Sequence, residues 1–267
     1  MSSLRGGYGL IGRERQAFVA CALAVFAAGA WAALDPSRAG LSLLLAAGGL
    51  ILLGAVWLET GTTTAKELAV IATLAGVAAA GRILFAPLPG VQPVTVIAIV
   101  AGASLGMRAG IGVGALAAFA SNFALGQGIW TPWQMLGWGL CGAAGALAAP
   151  ILRSRLALAV ISFVLGFAFS ALMDLWLWFS FYPHTWPALA ATMARGIPFD
   201  LAHAGGNFVL ALVIGPELRR VLDRCSTRLR TDVVWETAGS ADGLRGHPAP
   251  PPASSVAPGD ARGVRGL

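Results

Sequence analysis

The sequence predicts an all-α integral membrane protein, and three observations carry that reading. Of 267 residues only 11% are charged, whereas 57% are apolar. Soluble domains carry about 25% charge. Mean hydropathy is +0.75, which implies more apolar side chain than a water-facing surface tolerates. The apolar residues also lie in long runs rather than in the short alternating strands of a membrane barrel. A soluble enzyme, a disordered regulator and a nucleic-acid binder are disfavoured together.

Eight apolar runs follow one another, at 16–34, 41–58, 67–86, 93–107, 109–126, 134–152, 156–182 and 196–218. Most reach the about 17–25 residues that a spanning helix needs. The first follows Arg13 and Arg15 and ends in Ala30-Trp31-Ala32-Ala33. It reads as a span, with a cleaved leader as the competing reading, although the run is long for one. The fourth and fifth are short and rich in glycine, and only Met107-Arg108-Ala109 separates them. Two short helices joined by a tight turn are expected there. Residues 238–267, with Pro248-Ala249-Pro250-Pro251-Pro252, have no apolar period, as in disordered chain. The expected domains are 1–62 (two N-terminal transmembrane helices), 63–225 (a six-helix core) and 226–267 (a disordered cytoplasmic tail).

Orientation follows from the basic residues. With the N-terminus inside, the inner segments hold twelve Lys or Arg residues, including Lys66, Arg108, Arg153, Arg155, Arg219 and Arg220. The outer loops hold Arg38 and Arg195. Both termini are therefore expected in the cytoplasm of a multi-pass plasma-membrane protein. Trp31, Trp130, Trp133 and Trp186 fall at the outer boundary, where indoles anchor spans. Cys21, Cys141 and Cys225 are far apart, with no CxxC or Cys/His cluster. No disulfide framework, metal site or cofactor is expected.

Polar residues inside spans are costly and mark sites. Here they gather toward the outer ends. Arg82 lies near the end of the third run, Asn122 near the end of the fifth, and Gln134 opens the sixth. Asp174 lies two turns below Tyr182, and Asp200, His203 and Asn207 enter with the last run. Gln92 and Gln127 stand in the flanking outer loops. The inner halves offer little beyond Thr73, Ser104 and Ser162. That asymmetry predicts an outward-facing binding cavity. A channel needs polar lining throughout, and a self-sufficient pump needs a relay of ionisable groups across the membrane. The competing reading pairs these groups structurally, Arg82 with Asp174 and His203 with Asp200.

The loop Gln127-Gly128-Ile129-Trp130-Thr131-Pro132-Trp133-Gln134 combines two indoles with two amides, which suits a planar or large heteroaromatic solute. Its competing reading is an aromatic belt with a helix start at Pro132. Gly102, Gly106, Gly110 and Gly114 recur every four residues, a spacing that lets helices pack closely. Ala72, Gly76 and Ala80, with Ala75 and Ala79 beside them, offer a small-residue face for a partner helix. Gly102-Ala103-Ser104-Leu105-Gly106 matches G-x-S-x-G, and with His203 it raises an intramembrane serine protease as a remote reading. The topology places that serine and histidine in opposite halves. A phosphate loop of the form G-x-x-x-x-G-K-[ST] is absent from the sequence, so no ATPase site of its own is expected.

Residues 67–220 resemble the substrate-specific S components of energy-coupling factor (ECF) vitamin importers. The resemblance rests on Gly81-Arg82 with Pro87-x-Pro89 and Gln92-Pro93-Val94, on Gly102 through Gly114, on Gly126 through Met135, and on Gly196 through Asn207. It implies a six-helix core in spans three to eight and a vitamin site near the outer surface. It also implies docking of small-residue helix faces on a transmembrane coupling subunit driven by two ATPase subunits. A cobalamin-like solute is favoured and riboflavin is next. Arg82, Gln92, Gln127, Trp130, Trp133, Gln134, Asp174, His203 and Asn207 are the expected lining. Ala72, Ala75, Gly76, Ala79 and Ala80 are the expected docking face. A solitary secondary transporter of a small organic solute is the alternative. Residues 16–58 add two spans to the six-helix pattern.

Overall fold

A computed structural model describes residues 65–229 throughout, together with isolated positions between 20 and 52. The expected N-terminal pair of spans as continuous elements, and the tail from 230 onward, lie outside the described residues. Among the described residues the chain from 65 onward is helical, without strands. The elements are α1 (Ala65–Leu84), α2 (Val94–Leu105), α3 (Met107–Leu125), α4 (Thr131–Leu147), α5 (Arg155–Phe181), α6 (Trp186–Val213) and α7 (Gly215–Leu229). A single 3-10 turn, Ile151–Arg153, leads into α5.

Four of these helices, α1, α3, α5 and α6, are long and apolar enough to cross a membrane. Their outer faces fit that role: Val77, Leu84, Phe123, Val164 and Val209 are all more than half exposed. Such a girdle of bare aliphatic and aromatic side chains suits lipid rather than water.

The chain positions its polar groups through three local features. In α1, residues Ile71, Leu74, Ala75, Ala78, Ala79 and Arg82 are buried, a stripe at three- and four-residue spacing. Ala72, Gly76 and Ala80 face outward. Ala75 and Ala79 therefore belong to the core packed on α3. Their expected place on the docking face is corrected, because the helix turns them about 60–100° away from the exposed row.

α2 has 12 residues and ten of them are buried. At about 18 Å it is too short to cross a hydrocarbon core of about 30 Å. It is apolar on all sides, as a central helix is, and it packs on α3, α4 and α7. One residue, Gly106, joins α2 to α3 with φ near +100°, a conformation that glycine adopts without strain. The expected separator around Met107 is already helix.

Glycines then bring α2, α3 and α4 into backbone contact. A Cβ on Gly102 would run into the Gly142 carbonyl, and one on Gly110 would lie 2.6 Å from Gly102 Cα. A Cβ on Gly145 would strike the Ile99 carbonyl. The glycine series thus serves internal packing, with Gly106 as the turn.

The last spanning helix begins earlier than its hydropathy indicates. Thr185 caps α6 by accepting from the Ala188 N–H at 3.4 Å, and Pro187 occupies the first turn. The cap and the proline are a start signal, but Thr192 and Arg195 dilute the apolar pattern until 196. The helix ends at Val213 rather than 218, and α7 follows as a separate amphipathic helix. Leu218 and Leu222 pack into the core while Arg220, Arg224 and Arg228 are exposed. Residues 226–229, at the start of the expected tail, are helical.

Candidate functional site

The ends of α1 and α3, the starts of α2 and α4, and the middle of α6 meet in one buried polar network. Arg82 anchors it at 6% exposure. Its Nε donates to Gln92 Oε1 at 3.0 Å, and its Nη1 donates to Ser121 Oγ and Asn122 Oδ1, both at 2.6 Å. Asn122 Nδ2 in turn donates to Thr131 Oγ1 and Gln134 Oε1, both at 2.8 Å. The guanidinium also lies 4.9 Å from the centroid of Trp138, whose other face stacks on Phe169 at 4.2 Å. A buried cation is thus held by neutral acceptors and an indole face, in place of the expected ion pair with Asp174.

A second chain of bonds runs through Trp138. Its indole N–H donates to Thr95 Oγ1 at 3.0 Å, so the Thr95 hydroxyl proton is left to face His203 Nε2 at 3.4 Å. His203 Nδ1 lies 2.6 Å from the Gly90 carbonyl oxygen. A carbonyl only accepts, so Nδ1 carries the proton and Nε2 is the acceptor. The expected His203–Asp200 bond is replaced by these two. Because α6 starts at Trp186, Asp200, His203 and Asn207 sit along its middle rather than at its entry. The loop 85–93 reaches that level: a Cβ on Gly90, where φ is +77°, would come within 3.0 Å of the His203 nitrogen.

The nine expected lining residues separate into groups. Arg82, Gln92, Gln134 and His203 belong to the network or its direct extension. Gln127 and Trp130 are exposed in the segment between α3 and α4. Gln127 Nε2 donates to the Phe119 carbonyl at 2.9 Å, and Trp130 makes an edge contact with Trp176, centroids 6.4 Å apart. Trp133 is half-buried in the first turn of α4.

Asp174 stands apart, on α5 against Gly196 of α6. Its Oδ2 is buried without a hydrogen-bond partner. Asn207 is fully buried, packs against Gly166 and donates to the His203 carbonyl at 3.0 Å. Its hydrogen bond stays within α6, its Oδ1 is buried without a partner, and its Nδ2 fills the space beside α5 that a Cβ on Gly166 would need.

Sequence reasoning left out Thr95, Ser121, Thr131, Trp138 and Phe169. A signal existed for Thr95, the one hydroxyl among the first seven residues of α2, Val94-Thr95-Val96-Ile97-Ala98-Ile99-Val100. Ser121 and Thr131 look like ordinary helix hydroxyls, and only the approach of other helices gives them partners. At the opposite end of α2, Ser104 Oγ is buried without a partner. It lies nine residues from Thr95 along the helix, about 13 Å. Ser104 and His203 therefore form no nucleophile–base pair, which would require contact at about 3 Å. Among the described residues no group of three His, Cys, Asp or Glu side chains forms a metal site.

A family model described as a family of unknown function, DUF6580, matches residues 62–218. No curated protein and no solved structure matches the chain.

Proposed function

The chain belongs to the DUF6580 family, whose function is unknown, and from that premise we propose that it is a membrane-embedded solute-binding subunit. In this reading it captures a vitamin-like solute from outside and works as an S component of an ECF-type importer. The observation that carries the reading is the network of Arg82, Gln92, Asn122 and Gln134, with Trp130 exposed and Trp133 half-buried at the start of the helix that carries Gln134. Amide and guanidinium groups at one end of the bundle can orient a polar rim, and the indoles can stack on a flat solute. The solute favoured is cobalamin-like, with riboflavin next. Delivery inward then needs a transmembrane coupling subunit with two ATPase subunits, a reading supported by the lack of a polar path among the described residues from the network to the opposite end, where Ser104 and Ser162 have no hydrogen-bond partner.

Mass spectrometry of small molecules that co-purify in mild detergent tests the reading. A retained aromatic or corrinoid solute is expected. Trp130→Ala and Trp133→Ala should each weaken its binding about 3–10-fold with the fold intact, the scale of one lost aromatic contact. Unchanged affinity in both would remove the two indoles from the site.

The exposed row Ala72, Gly76 and Ala80 is the proposed docking face for the coupling subunit. A Cβ at Gly76 would meet nothing within 4 Å. Gly76→Leu should therefore leave thermal stability unchanged and abolish co-purification with a coupling complex. Retained co-purification would refute the face.

One observation favours a second reading, a solitary secondary transporter. Asp174 and Asp200 form no ion pair with a basic residue among the described residues. Such carboxylates serve proton or cation coupling in carriers. Gradient-driven uptake by this protein alone, lost in Asp174→Asn, would select that reading over the importer subunit.

A further inference from the structure

At the end opposite the polar network, the start of α5, the end of α6 and the first turns of α7 enclose a cleft of about 570 Å³. Arg153, Arg155, Arg219 and Arg220 line it, set against Glu217 and Asp223. The acids engage two of the cations. Arg220 Nη1 donates to Glu217 Oε1 at 2.5 Å, and Arg219 Nε lies 3.6 Å from Asp223 Oδ2. The remaining capacity is unused. Arg219 Nη2 donates to the Ala149 carbonyl at 2.9 Å, but Nη1 is buried with no hydrogen-bond partner. Arg155 donates only Nε, to the Leu212 carbonyl at 2.8 Å. Arg153 makes no ion pair among the described residues.

Arg153, and Arg155 beyond its Nε, are exposed and leave guanidinium N–H groups along the cleft that an oxygen-rich partner can engage. Four arginines against two carboxylates leave an excess of positive charge. The first turn of α5 also opens onto the cleft and adds the positive end of its helix dipole, whereas the start of α7 adjoins the negative end of α6. Arginine forks match the oxygens of phosphate. One side of the wall is apolar: Leu152 and Leu158 lie inside, and Val213, 64% exposed, continues that side onto the outer surface of the helices. A headgroup phosphate on the arginines would place its acyl chains along that wall.

We propose that this cleft binds the phosphate of an anionic phospholipid headgroup and so ties the junction of α5, α6 and α7 to one membrane surface. Basic pockets between helices at the cytoplasmic face recognise such headgroups, and the Lys/Arg distribution assigns this end to the cytoplasm.

The test uses the full chain in neutral detergent. Phosphatidylglycerol, phosphatidylcholine or inorganic phosphate is added, with native mass spectrometry and thermal unfolding as readouts. Phosphatidylglycerol should be retained about tenfold better than phosphatidylcholine and should raise the unfolding temperature. Arg153→Gln combined with Arg155→Gln changes two exposed side chains. It should abolish the preference, while the lipid-free unfolding temperature falls by no more than the loss of the one exposed hydrogen bond from Arg155 to Leu212 implies. Arg219→Gln should abolish it as well. Equal retention of the two lipids, or a double variant that still prefers phosphatidylglycerol, overturns the site. Protection by inorganic phosphate equal to that by phosphatidylglycerol overturns the lipid as its occupant.

Discussion

Arg82→Met is expected to lower the stability of the protein in detergent by about 3 kcal/mol or more, and to abolish solute retention. The side chain is buried and serves three acceptors on two other segments, Gln92, Ser121 and Asn122. Each bond from a charged donor contributes about 1.5–3 kcal/mol, and an acceptor left buried without a donor adds its own penalty. The loss will not be a simple sum, because Ser121 already shares its hydroxyl with the Ala117 carbonyl at 2.7 Å. The fall in unfolding temperature should be on the order of 10 °C for a domain of this size. Arg82→Lys should recover only part of it. An ammonium keeps the charge but cannot reproduce the planar fork that reaches Gln92 with one nitrogen and α3 with another. Thermal unfolding of the three proteins checks the order wild type, Lys, Met. A Met variant as stable as wild type would show that the network does not depend on its cation.

Gly142→Val should have a larger effect still and yield no folded protein. Gly142 faces Gly110 across the α3–α4 contact, and a Cβ there would overlap the Gly110 backbone. The obstruction is main chain on both sides, so no rotamer change can relieve it. Overpacking in cores costs about 1–3 kcal/mol when side chains can adjust, and here two helix axes would have to separate. Gly142→Ala should already lower the unfolding temperature, while Gly76→Ala, on the open face of α1, should leave it unchanged. Size-exclusion profiles and unfolding curves of the three variants decide the matter. A monodisperse Gly142→Val with a wild-type curve would mean that α3 and α4 do not approach as described.

Several features of the site were legible before any helix was placed. The gathering of Arg82, Asn122 and Gln134 near the ends of apolar runs follows from the sequence, and the glycine spacing announces close helix contact. Other features were not. His203 and Asp200 look like entry residues because Arg195 and Thr192 hide the true start of α6, although Thr185 and Pro187 mark it. The i, i+3 spacing of Asp200 and His203 invites a pairing that the structure does not make. Gly90, distant in sequence, offers His203 a carbonyl instead. Ala75 and Ala79 share composition with Ala72 and Gly76, yet only the packing of α3 on α1 separates the inward pair from the outward row.

What the sequence by itself determined was the apolar, helical character of residues 65–229 and the place of Arg82, Asn122 and Gln134 near the ends of their apolar runs. Both follow from residue composition over a window the length of a helix, and transfer of such a window into lipid is a local free energy. The tertiary structure alone decided which acceptor each buried donor meets, that α2 is enclosed rather than lipid-facing, and that Asn207 packs against Gly166 of α5. Those outcomes depend on which helix faces come within hydrogen-bonding distance. That distance is set by contacts between residues tens of positions apart, and no local pattern records it.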